Sequence, residues 1–152
     1  MNKQLMISIT TSEPRNPFSE IKVDVFERET ENVEVHRVMG FYPEHIEPDF
    51  SFTLDDRIYK RVKNYLKDPV LESEQEEDGY IVDSGIKVCD GEQTEIDLFL
   101  EGGKRHFSYS NLNAYKDHLD EYPQTKKIYK IQTCIMREVR RQFRAEKERF
   151  EK

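Results

Sequence analysis

The hydrophobic period of this chain switches from two to helical, back to two, and to helical again, and few architectures accept that order. Three runs at its start alternate between two faces: Leu5, Ile7 and Ile9, then Ile21, Val23 and Val25, then Val33, Val35, Arg37 and Met39. Such alternation predicts half-buried strands of an antiparallel sheet, one face on the core and one in water. From Leu54 the spacing changes. Leu54, Ile58, Val62, Tyr65 and Leu66 fall on one helical stripe, with Thr53 placed as a cap, Asp55 and Asp56 at the positive end of the helix dipole, and Pro69 as the stop. Period two returns through Ile86 and Val88, through Ile96, Leu98 and Leu100, and through Phe107 and Tyr109. After a short helical turn around Tyr115 and Leu119, Pro123 suits the first turn of a long helix whose Ile128, Ile131, Ile135, Val139 and Phe143 share one face.

These periods predict a single α+β domain over residues 1–152, with an antiparallel sheet of about six strands in the order βββ-α-βββ-α-α. The helices are expected on one face of the sheet, the last of them long and amphipathic. Ser12 to Ser19 and Gly40 to Ser51 carry prolines and read as irregular connections, whereas Glu29 to Asn32 is short enough to close a hairpin. Gly102-Gly103 suits a two-residue turn, which sets Leu98 opposite Phe107 and Ile96 opposite Tyr109. A three-residue loop through Asp90, Gly91 and Glu92 sets Ile86 against Ile96 and Lys87 against Glu95, matching apolar to apolar. The acidic run in residues 70–78 is expected to be a mobile loop, and residues 144–152, with little apolar surface, to fray or engage something else.

Charge is divided as sharply as period. Lys126 to Lys152 holds 10 Lys and Arg against 4 Glu, so this segment is +6 and the remainder of a chain of net charge −7 is −13. Overall acidity argues against general nucleic-acid affinity, which needs clustered Lys and Arg. There is no apolar run long enough to span a membrane and no leader-like start, so the expected location is the cytoplasm. Cys89 and Cys134 are too few for a disulfide framework or a metal knuckle and read as buried free thiols.

No motif commits the chain to a reaction. His36, His45, His106 and His118 form neither a His-x-His nor a His-x-x-x-His pair, so neither a metal nor another cofactor is expected. Cys89 beside Asp90 and Glu92 would be held as a thiol, and Asp97, His106 and Ser108 on one sheet face would lack an oxyanion hole. Gly102-Gly103 has no helix start beside it to cradle a phosphate. Asp90-Gly91, Thr94 to Leu98, Gly103-Lys104 and Ser110 to Tyr115 together resemble a strand, turn, strand and Asn-rich cap of small uncharacterised bacterial proteins. The resemblance implies a bacterial or phage origin and assigns no site.

What remains are surfaces. Phe41, Tyr42, Phe50 and Phe52 with Glu44, Glu47 and Asp49 give aromatic anchors in an acidic rim, and Glu74, Glu76 and Glu77 extend it. On the last helix Lys130, Arg137, Arg140, Arg141 and Arg144 make a basic stripe. The leading expectation is a non-catalytic protein-binding domain, a small acidic inhibitor of the toxin-immunity or phage anti-defence type, whose partner is a protein with a basic surface. The alternatives are a small enzyme using His45, His106 or Cys89, and a self-associating structural or regulatory protein, for instance a homodimer, with the long helix as its seam.

Overall fold

The computed structural model describes residues 4–13, 16–27, 30–39, 50–74, 93–110 and 119–150. Its strands are β1 (Leu5–Glu13), β2 (Asn16–Phe26), β3 (Val33–Met39), β4 (Phe50–Phe52), β5 (Gln93–Leu100) and β6 (Gly103–Ser110). They form one six-stranded sheet in the order β4-β3-β2-β1-β5-β6, and each neighbouring pair is antiparallel. The helical segments are α1 (Asp56–Leu66), a 3₁₀ turn at Pro69–Glu72, a second at Leu119–Glu121, and α2 (Pro123–Phe150). The first strand therefore ends in the interior of the sheet, flanked by β2 and by a strand more than 80 residues later in the chain.

One face of this sheet is the core. Ile7 and Ile9 of β1, Val23 and Val25 of β2, and Ile96 and Leu98 of β5 are fully buried there. α2 covers that side through Ile128, Ile131 and Ile135, all at 0% exposure, and α1 adds Tyr59 and Val62. Each such side chain contributes about 1.5–3 kcal/mol of burial, so the period-two and helical patterns are complementary halves of one interior. β4 continues it at the edge: Phe52 is buried opposite Val33, and Phe50, half-buried opposite Val35, stacks on it at 6.3 Å between ring centroids.

Polar side chains join the elements. Asn32, buried at the end of the β2–β3 connection, accepts the Leu54 N–H at 2.8 Å and donates to Phe26 O at 3.4 Å. Glu31 beside it takes a positive φ of 56° and donates its N–H to Thr53 Oγ1 at 2.8 Å. Glu27 receives the Tyr59 hydroxyl at 3.0 Å and Lys63 Nζ at 2.9 Å, which ties α1 to the same connection. The 3₁₀ turn at Pro69–Glu72 is held from both sides. Gln124 of α2 donates to Val70 O and Ser73 O, Arg105 of β6 to Leu71 O and Ser73 O, and the Glu72 carboxylate accepts the Gly102 N–H at 2.9 Å.

Several sequence expectations are corrected in detail. The β5–β6 turn is Glu101-Gly102, with Leu100 opposite Gly103, so Leu98 faces Arg105 and Ile96 faces Phe107. This register differs by two residues from the one expected, which leaves every side chain on its expected face. The cause is Gly103, whose φ of 126° only glycine adopts freely and which begins β6 immediately after the turn. The expected pairing of Ile86 with Ile96 cannot form in this sheet, because β1 and β6 occupy both edges of β5; residues 75–92 themselves lie outside the described residues.

β1 and β2 extend into the segment read as irregular: Ser12 lies opposite Glu20 and, after an irregularity in the register, Glu13 lies opposite Asn16. The β2–β3 connection begins earlier than expected, after Phe26, whose N–H bonds Asn32 O at 2.8 Å. Phe50 and Ser51, placed in an irregular connection, form the edge strand β4 together with Phe52. Asp55, not Thr53, caps α1, its carboxylate accepting from Arg57 N at 2.9 Å while the Thr53 hydroxyl is committed to Glu31. The first residues of the expected acidic loop are instead a docked turn with Leu71 at 0% exposure. The helical backbone of α2 runs on to Phe150.

Candidate functional site on the open sheet face

The register of five strand pairs builds the face turned away from the helices. One row crosses the entire sheet: Ser51, Glu34, Asp24, Ser8, Asp97 and His106, each directly opposite the next. A second row, two residues along each strand, reads His36, Lys22, Thr10, Glu95 and Ser108. Because side chains on a strand alternate, both rows project from the same face. Carboxylates therefore gather there from sequence positions more than 70 residues apart.

The row organises into two imidazole–carboxylate clusters on either side of Ser8. In the first, His36 Nε2 lies 3.7 Å from Glu34 Oε2 and 4.0 Å from Asp24 Oδ2. Asp24 is 9% exposed, and its other oxygen accepts the Ser8 hydroxyl at 2.7 Å. In the second, His106 Nδ1 meets Asp97 Oδ1 at 2.7 Å while Nε2 faces Glu95 Oε1 at 3.8 Å. Lys104 Nζ stands 3.9 Å from Asp97 and 5.7 Å from the centroid of Phe99, an exposed aromatic of the same face. Ser108 does not complete a triad. Its hydroxyl accepts from Gln93 Nε2 at 2.8 Å, and both ring nitrogens of His106 already face carboxylates.

The opposite side of the molecule carries a run of further cations. Lys130, Arg137, Arg140, Arg141 and Arg144 are all exposed on α2, and Arg141 pairs with Glu138 Oε2 at 2.7 Å. Nearer the start of that helix, Lys127 lies 3.1 Å from Asp68, and Lys126 2.6 Å from Asp120. The Val70 N–H, followed by Lys127, holds the Asp68 carboxyl below its usual range. Lys126 does the same for Asp120. The apolar stripe expected as a dimer seam is covered by the protein's own sheet, since Ile128, Ile131, Ile135 and Val139 are at most 3% exposed.

Of the residues singled out from sequence, Phe41, Tyr42, Glu44, His45, Glu47, Asp49, Glu76, Glu77 and Cys89 lie outside the described residues. Phe52 is part of the core, Phe50 is packed against it, and Glu74 is exposed just after the docked turn. His106 and Asp97 are brought together as the strand pattern allowed. The Asp24, Glu34 and His36 cluster was missed, because attention to His-x-His spacing passes over Glu34-Val35-His36. A Glu-x-His pair on one strand face is the available signal, and the β2–β3 register supplies the third group.

A shallow, open depression of about 520 Å³ lies where the β2–β3 connection meets α1, lined by Thr30, Asn32, Thr53, Leu54, Asp55, Asp56 and Tyr59. Its mouth is acidic, and its polar groups are largely those that hold α1 in place. Compared with protein-family models, with curated proteins and with solved structures, the chain matches none. No helix among the described residues is long and apolar enough to cross a membrane.

Proposed function

We propose that this protein is a non-catalytic binding domain, an acidic inhibitor of the toxin-immunity or phage anti-defence kind, that docks a protein with a basic surface. The observation that carries this reading is the open sheet face, where Asp24, Glu34, Glu95 and Asp97 come from three strands onto one surface with exposed Phe99 at its side. A sheet face of this kind is broad and its backbone is rigid, so the carboxylates are held in a fixed array, which favours electrostatic complementarity with Lys and Arg of a partner. Like-signed carboxylates on neighbouring strands repel one another, and a basic partner removes that repulsion when it binds. Glu74, exposed just after the docked turn, adds a further carboxylate to the acidic surface.

The enzyme alternative keeps one observation in its favour, the short Asp97–His106 hydrogen bond, which orients an imidazole as a general base would be oriented. Among the described residues no hydroxyl or thiol nucleophile is placed against that imidazole, so the binding reading is preferred.

The test compares capture of partners from the protein's own host by the parent chain and by the Glu34→Lys/Glu95→Lys/Asp97→Lys variant, at low and at high salt. The expected result is a stoichiometric basic protein held by the parent at low salt, released at high salt, and not held by the folded variant. Retention by the variant at parent levels would move the interface off this face. In a second comparison, Glu74, Glu76 and Glu77 replaced by Gln should leave stability nearly unchanged and weaken the complex, and unchanged affinity at low salt would remove that segment from the interface.

A further inference from the structure

We propose that Asp24, Glu34 and His36 form a binding site for a divalent transition-metal cation of the Zn²⁺ or Co²⁺ class. The three residues offer one imidazole nitrogen and two carboxylate oxygens whose donor atoms all lie within 4.8 Å of one another. Zinc bonds nitrogen and oxygen at about 2.0–2.2 Å, so two donors of a tetrahedral site stand roughly 3.4 Å apart. The spacings here are 3.7 Å from His36 Nε2 to Glu34 Oε2 and 4.0 Å to Asp24 Oδ2, so small side-chain rotations close the set around an ion. Mixed imidazole and carboxylate ligation selects zinc, cobalt and their neighbours over calcium or magnesium, which favour all-oxygen cages.

The state of Asp24 is the independent observation. It sits on the solvent-facing side of the sheet, yet its side chain is only 13% exposed. Ser8 donates to Oδ1 at 2.7 Å, whereas Oδ2, aimed at His36, receives no hydrogen bond from any described residue. A carboxylate fixed through one oxygen, with the other presented toward an imidazole, is the arrangement by which outer partners orient a metal ligand. The scaffold is equally fixed, because Glu34 and His36 are two residues apart on β3 and Asp24 lies opposite Glu34 on β2. Three protein ligands leave a fourth position for water or for a group from a partner. Lys22, opposite His36, is an exposed cation beside the cluster. Metal binding needs no protein partner, so this inference stands or falls separately from the docking reading.

The experiment is a Co²⁺ titration of the untagged full-length chain, read by visible absorption, with Zn²⁺ as competitor. One saturable Co²⁺ per chain is expected, with ligand-field bands, no thiolate charge-transfer band, and displacement by Zn²⁺. His36→Ala and Asp24→Asn should lose this complex, and Ser8→Ala should weaken it by about 10- to 100-fold. His106→Ala, which removes the other imidazole of the same face, should bind like the parent. On the parent protein itself, added Zn²⁺ should shift the imidazole NMR resonances of His36 and leave those of His106 in place, a readout that requires no variant to fold. Absence of a saturable complex, parent-like affinity in His36→Ala, a thiolate band, or a shift confined to His106 would each overturn the site.

Discussion

Asn32 shows how one buried polar side chain can fix an element that lies elsewhere in sequence. Its amide oxygen takes the Leu54 N–H just before α1, and its own burial leaves no water to replace that bond. Asn32→Leu removes the acceptor while keeping the volume, so it should cost about 1–3 kcal/mol, the penalty of an orphaned buried donor; urea unfolding measures it. Asp68 provides a titrating counterpart. It caps the 3₁₀ turn by accepting the Val70 N–H at 3.0 Å and pairs with Lys127. Its carboxyl is held below the usual range, so its contribution is present above the unfolded-state value and is lost as pH falls through the lower folded value. Asp68→Ala should therefore lower Tm at neutral pH, and the gap from the parent should close as pH falls through the acid range. A gap that stayed constant down to low pH would mean that packing, not charge, is lost.

Each element boundary here is set by a residue with a particular conformation or bond. Gly102 and Gly103 look alike in sequence and differ in structure. Gly103 holds a φ of 126° and has open space around a would-be Cβ, whereas a Cβ on Gly102 would run into the Glu72 carboxylate. Gly103→Ala should accordingly cost about 1–3 kcal/mol through backbone strain. Gly102→Ala should cost less, because a flexible carboxylate end can swing aside; thermal melts of the two variants rank them. The cap of α1 follows the same reasoning: Asp55→Ala removes the acceptor for Arg57 N and should cost about 1 kcal/mol, while Thr53→Ala removes the clasp on Glu31 without touching the cap.

The sheet and its helix layer share one interior, so damage in either layer should be felt by both. Leu98 of β5 and Ile135 of α2 are both at 0% exposure. Leu98→Asp and Ile135→Asp each place an unpaired charge in that interior, a cost larger than the total stability of a domain this size can absorb. Both variants should lose the cooperative thermal transition in circular dichroism, and a parent-like melt in either would remove that residue from the core. On the outside, carboxylates concentrate on the sheet face, where Lys22 and Lys104 also stand, and exposed arginines lie on α2. This polarity suits a molecule that meets a basic partner with one side and keeps the other in water.

The apolar periods alone determined the α+β class, the antiparallel strands and the burial of α2, because alternation and helical spacing act through neighbours in sequence. Pro123 at the start of α2, and the faces taken by Leu98 and Phe107, were legible for the same reason. Exact registers were less so: the shift at Gly103 depends on a backbone angle that sequence spacing does not reveal, and β4 is a three-residue strand given its place by β3. The order of strands, with β1 between β2 and β5, was decided only when the helix layer and the returning strand closed one core. That placement assembled the candidate site as well. Asp24 meets Glu34 and His36 because pairing between β2 and β3 sets them side by side, whereas Asp97 meets His106 within one hairpin, where the strand pattern already put both on one face.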